Sequence, residues 1–140
     1  MIGILAKKLD QELLAGAVAL SQSKTPCCLF TNVPMPSDVP SLFPVLQPLR
    51  AYHFEGILVS SDLSTTEMLI KLVRPQKKFF YIRSFEWTYL DQCNYSYLRY
   101  IYQNDNLELI AANEKIYKTI KDLFKEPSMI IKDWKLGELI

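Results

Sequence analysis

The sequence predicts a three-layer α/β/α, Rossmann-like domain built on a mainly parallel, doubly wound sheet. Three observations carry this. Short, continuous apolar runs of strand length recur along the chain, as strands buried on both faces require. Stretches of helical period stand between most of them. From Gln76 to Asn113 and beyond, the order strand, helix, strand, helix is explicit: Phe79-Phe80-Tyr81-Ile82, then Tyr89–Tyr102, then Leu107–Ala112, then Glu114–Phe124. Right-handed crossovers make a parallel sheet of order 3-2-1-4-5-6, with one edge addition, the economical arrangement.

The elements follow in order. Ile2–Ala6 reads as the first buried strand. Asp10 caps a helix over Gln11–Gln22, whose apolar positions are Leu13, Leu14, Ala17, Val18 and Leu20. Cys27–Thr31 is the second strand. Residues 32–48 hold five of the eight prolines, a density that forbids a helix interior or a central strand, so an extended loop with one turn near 41–43 is expected. Leu49–Phe54 reads as an edge strand and Ile57–Ser60 as a central one. A helix over Thr65–Val73 ends before Pro75. Asn113 caps the Glu114–Phe124 helix, with Glu114 in its first turn. Ser128–Lys132 forms a last short strand, and 134–140 a tail. Ile4, Leu29, Leu58, Phe80, Ile82, Leu109 and Ile110 belong in the core.

Composition narrows function. A chain of 140 residues with 49% hydrophobic and 22% charged content is an ordinary globular domain spanning 1–140. A net charge of +1 gives no field to attract nucleic acid or anionic lipid, so no nucleic-acid partner is expected. No apolar run approaches the roughly 18–20 residues of a membrane span. Cys27 and Cys28 point to opposite faces of a strand. With Cys93 alone elsewhere, neither a zinc site nor a disulfide framework can be built, which points to reduced thiols and a cytoplasmic setting. No metal and no cofactor are expected. Glycine-rich phosphate loops are missing: the first strand runs into Lys7-Lys8-Leu9-Asp10.

Candidate site residues lie where the strands end. In a parallel sheet the carboxyl ends line one edge, and a crevice opens where the winding reverses, between the strands ending at Ala6 and Ser60. Lys7, Ser61, Asp62, Arg83, Glu86 and Asn113 collect along that edge as tentative ligand-binding residues. They suit a polyhydroxylated or zwitterionic ligand. The competing assignment makes Asp62 and Asn113 helix caps and pairs Arg83 with Glu86, or Lys7 with Asp62, at the surface. His53 is the only histidine and has no partner at triad or metal spacing. On the aromatic helix, Tyr97, Leu98 and Ile101 face inward, leaving Tyr95 and Tyr102 available to a partner.

Lys78-Phe79-Phe80-Tyr81-Ile82-Arg83-Ser84-Phe85-Glu86 resembles a strand of the GT-B glycosyltransferases that passes from an apolar run to a polar pair, an aromatic and Glu. Leu109-Ile110-Ala111-Ala112-Asn113-Glu114, followed by Ile116, Ile120 and Leu123, resembles their passage from strand through a small polar residue into a helix. The likeness covers about residues 57–133. It implies the N-terminal, acceptor-side half of such an enzyme. The chain reaches Ile140 where the family continues into a sugar-nucleotide-binding domain, so the resemblance implies no donor site and no catalysis by this chain alone. Two functions follow as expectations. One is a non-catalytic half domain acting as a small interaction or accessory protein, as a homo-oligomer or with a separate protein partner. The other is the acceptor-binding subunit of a split glycosyltransferase, with a sugar or sugar-nucleotide ligand and Glu86 as base.

Overall fold

The computed structural model describes residues 1–39, 42–90 and 93–140. Seven strands form one sheet: β1 (Ile2–Leu5), β2 (Cys27–Phe30), β3 (Val45–Leu46), β4 (Ile57–Ser60), β5 (Lys77–Ile82), β6 (Glu108–Ala111) and β7 (Met129–Ile130). Their order is β3-β2-β1-β4-β5-β6-β7, and every pairing is parallel. β1 lies between β2 and β4, with Ile4 beside Leu29 on one side and Val59 on the other. The winding reverses there, as expected.

Alternation along the strands divides the core in two. Ile2, Ile4, Cys27, Leu29, Val59, Phe79, Tyr81 and Ile110 face α1 (Gln11–Gln22) and the C-terminal segment. Leu5, Cys28, Phe30, Leu58, Phe80, Ile82 and Leu109 face the other layer. That layer holds α2 (Leu63–Lys71), α3 (Tyr95–Tyr102) and α4 (Glu114–Leu123). Each helix opens on a side chain that accepts a first-turn N–H: Asp10, Asp62, Asn94 and Asn113.

The proline-rich stretch departs from expectation. The edge strand is Val45–Leu46, set between Pro44 and Pro48, rather than Leu49–Phe54. Pro44 and Pro48 bracket the pair, and among the described residues only the side facing β2 is bonded: Leu29 N–H donates to Pro44 O and Thr31 N–H to Leu46 O. Pro48 fixes φ for a helical first turn, so Pro48–His53 folds as a 3₁₀ helix, with Ala51 buried and His53 exposed. The turn expected near 41–43 falls partly outside the described residues.

The helix expected over Tyr89–Tyr102 is shorter. Glu86–Thr88 is a 3₁₀ turn and α3 starts at Tyr95; residues 91 and 92 lie outside the described residues. Starting there puts Leu98, Ile101 and Tyr102 on the inner face. Tyr102, expected at the surface, is therefore fully buried, stacked on Phe80 at 5.5 Å and on Phe124 at 4.9 Å. Tyr95 is exposed. α2 begins two residues early, at Leu63, because Asp62 and Thr65 close a reciprocal capping box.

The expected tail is part of the core. Ser128–Lys132 contributes only Met129–Ile130 to the sheet, and the chain then turns under α1. Trp134 stacks on Tyr81 at 4.3 Å and is 1% exposed. A Cβ on Gly16 of α1 would meet the Trp134 Cβ at 2.5 Å, so glycine is what lets the two segments close.

Candidate functional site

The carboxyl ends of β1, β4 and β5 meet through side-chain bonds rather than a glycine loop. Ser61 Oγ donates to Leu5 O at 2.9 Å, tying the loop after β4 to the end of β1 across the reversal point. Asp62 accepts from Thr65 N–H at 2.7 Å and from the Thr65 hydroxyl at 2.9 Å. Glu86, only 9% exposed, accepts the Leu63 N–H on both carboxylate oxygens at 3.0 and 3.2 Å. Its carboxylate thus occupies the first N–H of α2, that of Leu63, one of the groups an anion at a helix N-terminus would use. Burial pushes the Glu86 carboxyl up to about 7; Asp62 adds to the rise, while the Leu63 N–H, Arg83 and Lys8 oppose it.

Arg83 does not pair with Glu86. Its guanidinium meets Asp10 at 2.5 Å and Glu12 at 3.5 Å on α1, and lies over the Trp134 ring at 5.4 Å. Arg83 and Asp10 are 31 and 40% exposed, so the pair stabilises by about 0–1 kcal/mol. Asn113 caps α4, accepting from Ile116 N–H at 2.9 Å, at the end of β6. Lys7, Ser61, Asp62 and Glu86 therefore share one neighbourhood around β1 and β4. Arg83 is turned to the α1 layer, and Asn113 stands apart on β6. Lys7 is exposed and, among the described residues, has no ion-pair partner; Asp62 is engaged by Thr65 instead.

The capping role of Asp62 has a measurable size. Asp62→Ala removes the acceptor of both the Thr65 N–H and the Thr65 hydroxyl, and the expected loss is about 1 kcal/mol by urea denaturation. An unchanged midpoint would mean that the capping box contributes nothing.

Beside these groups the structure opens a cavity of about 300 Å³ at the ends of β1 and β2, roofed by α2 and Pro48. Leu5, Phe30 and Met68 form its walls, and Lys7, Asn32 and Ser64 stand among its polar lining. Asn32, Ser64 and Met68 were not anticipated as site residues. Ser64 had a signal, since any residue just after a capping aspartate lies at a helix N-terminus. Met68 had none, because its place depends on how α2 sits over β1.

A second feature lies at the β3 edge. Leu42, Val45, Leu46, Leu49 and Tyr52 are 47, 40, 40, 72 and 48% exposed. Leu49 and Tyr52, three apart on a 3₁₀ helix, share one side. Leu46 is in register with Phe30 and points to that same layer; Val45 is in register with Leu29 and points to the other.

Among the described residues, no group of three His, Cys, Asp or Glu side chains is placed to hold a metal ion. No helix among them is long and apolar enough to cross a membrane. Burial pushes the Cys27 and Cys28 thiols up to about 11 and about 12, so neither is a thiolate near neutral pH. Comparison with protein-family models, curated proteins and solved structures finds no match.

Proposed function

We propose that the chain is a non-catalytic, GT-B-like half domain that works by protein association, and that it pairs with a second copy of itself across the β3 edge. The observation that carries this is the run of five exposed apolar side chains from Leu42 to Tyr52. A standard interface takes about 800 Å² per partner, a little over half of it apolar, so on the order of 450 Å² of apolar surface is needed. Leu49 and Tyr52, on one side of the 3₁₀ helix and 72 and 48% exposed, supply the centre of that apolar surface. Between residues 42 and 54 the only acidic or basic side chains are Arg50 and His53, and the net charge is +1, so two copies meet with little repulsion. Pro44 and Pro48 flank β3 and lack N–H groups, which limits strand addition. The contact is therefore side chain against side chain, in a two-fold arrangement that sets the strip on itself. The buried, protonated thiols suit a reducing, cytoplasmic compartment.

Light scattering on a size-exclusion dilution series tests the proposal. The expected result is a dimer that dissociates on dilution. The double substitution Leu49→Arg and Tyr52→Arg should weaken it about tenfold or more, because it removes central apolar anchors and adds like charges. A monomer at every concentration, or a dimer indifferent to both substitutions, would refute it.

One observation favours the second reading, an acceptor-binding subunit of a split glycosyltransferase. Glu86 is buried at the sheet edge with a carboxyl pushed up to about 7, the range of a general base at neutral pH. Mixing the chain with a separate sugar-nucleotide-binding chain should then give transfer of labelled sugar that Glu86→Gln abolishes. Neither transfer nor a complex would remove this reading.

A further inference from the structure

We infer that the cavity beneath α2 is a binding site for a small monocarboxylate with an aromatic or branched apolar body. The inference is independent of the association proposed above. At about 300 Å³ the space sits at the lower end of small-molecule pockets and has room for roughly ten water-sized groups. It lies at the carboxyl ends of β1 and β2, next to the reversal point, where open α/β sheets take their ligands.

The walls decide the body of the ligand. Leu5, Phe30, Pro48 and Met68 offer hydrocarbon and a thioether that adjusts to shape. Sugar hydroxyls placed against them would lose water without gaining partners. The sequence-based expectation of a polyhydroxylated ligand therefore does not suit this space.

The rim decides the head group. Lys7 supplies a cation without an ion-pair partner among the described residues. On α2, Leu63 N–H is taken by Glu86, Thr65 N–H by Asp62 Oδ1 and Thr66 N–H by Asp62 O. Ser64 N–H, in the same first turn and at the cavity wall, meets no acceptor among the described residues. Among the described residues, no carboxylate lines the cavity. One cation, one free N–H and the neighbouring Ser64 hydroxyl and Asn32 amide match a single carboxylate. A phosphate dianion would face Asp62 and Glu86 behind the same helix end, with a single lysine at the rim to offset them.

The test is a titration of the full chain by two-dimensional amide NMR with phenylacetate, its neutral counterpart 2-phenylethanol, and inorganic phosphate. Phenylacetate should give saturable shifts at Ala6, Lys7, Asn32, Ser64 and Thr65, with a Kd on the order of 1 mM. 2-Phenylethanol should bind about tenfold more weakly at the same amides, and phosphate should leave them unmoved. Lys7→Ala, an exposed change, should bring phenylacetate down to the level of 2-phenylethanol and leave the latter unaffected. Met68→Trp should fill the space and abolish both. Absence of saturable shifts at these amides, equal binding of acid and alcohol, or phenylacetate binding unchanged in Lys7→Ala would overturn the assignment. If Met68→Trp disturbs the fold, the Lys7→Ala comparison decides by itself.

Discussion

Trp134→Ala should remove about 3–5 kcal/mol of stability, a large share of the roughly 5–15 kcal/mol that such a domain has. Trp134 is the largest fully buried side chain and lies between α1 and the sheet. Its ring stacks on Tyr81, and its backbone N–H donates to the Tyr81 hydroxyl at 3.2 Å. That hydroxyl in turn donates to Ile131 O at 2.6 Å. Asp133 and Trp134 both hold positive φ, 54° and 56°, a conformation that disfavours side chains by about 1–3 kcal/mol and persists only when packing enforces it. Removing the indole empties the space over Tyr81 and releases that enforcement. Urea denaturation followed by far-ultraviolet circular dichroism measures the loss; Trp134→Phe should recover part of it. A loss below about 1 kcal/mol would mean that the C-terminal segment is not part of the core.

The second large effect is a pH dependence set by Glu86. Its carboxyl rises from 4.5 to about 7 on folding, chiefly through burial. Between these values the folded chain holds a proton that the unfolded chain has released. Stability from this group is therefore fully present below pH 4.5 and is lost as the pH rises through 7. Each tenfold gain in proton affinity on folding is worth about 1.4 kcal/mol, so the loss is on the order of 3 kcal/mol. Glu86→Gln keeps an oxygen for the Leu63 N–H but has no charge to bury. Its melting temperature should exceed that of the natural chain by more near pH 8 than near pH 5. An equal difference at both would show that Glu86 ionises in the folded chain as it does in water.

The sheet was legible because parallel strands buried on both faces must be apolar at every position, and Ile2–Leu5, Cys27–Phe30 and Glu108–Ala111 keep nearly to that pattern. The starts of α1 and α4 were legible in Asp10 and Asn113, whereas α2 was expected from Thr65 and begins at Leu63, behind the Asp62 cap. Val45–Leu46 was not, since two residues between prolines carry no period, and their pairing with Leu29 and Phe30 is set by the neighbouring strand. The shape of 134–140 was hidden for a similar reason: Gly16 and Trp134 meet only once the chain has folded, 118 positions apart in the sequence. The candidate site was legible as a location. Lys7, Ser61, Asp62 and Glu86 do gather at the reversal point, but the partner of Arg83 depended on how α1 docks, and the apolar cavity on how α2 docks.

Association through the β3 edge is tested most directly by amide hydrogen exchange at two protein concentrations, one well above and one well below the dissociation midpoint. The dimer should show concentration-dependent protection confined to residues 42–54, strongest around Leu49 and Tyr52. Exchange that is the same at both concentrations, or protection that falls instead on α3 and its exposed Tyr95 and Tyr100, would contradict it.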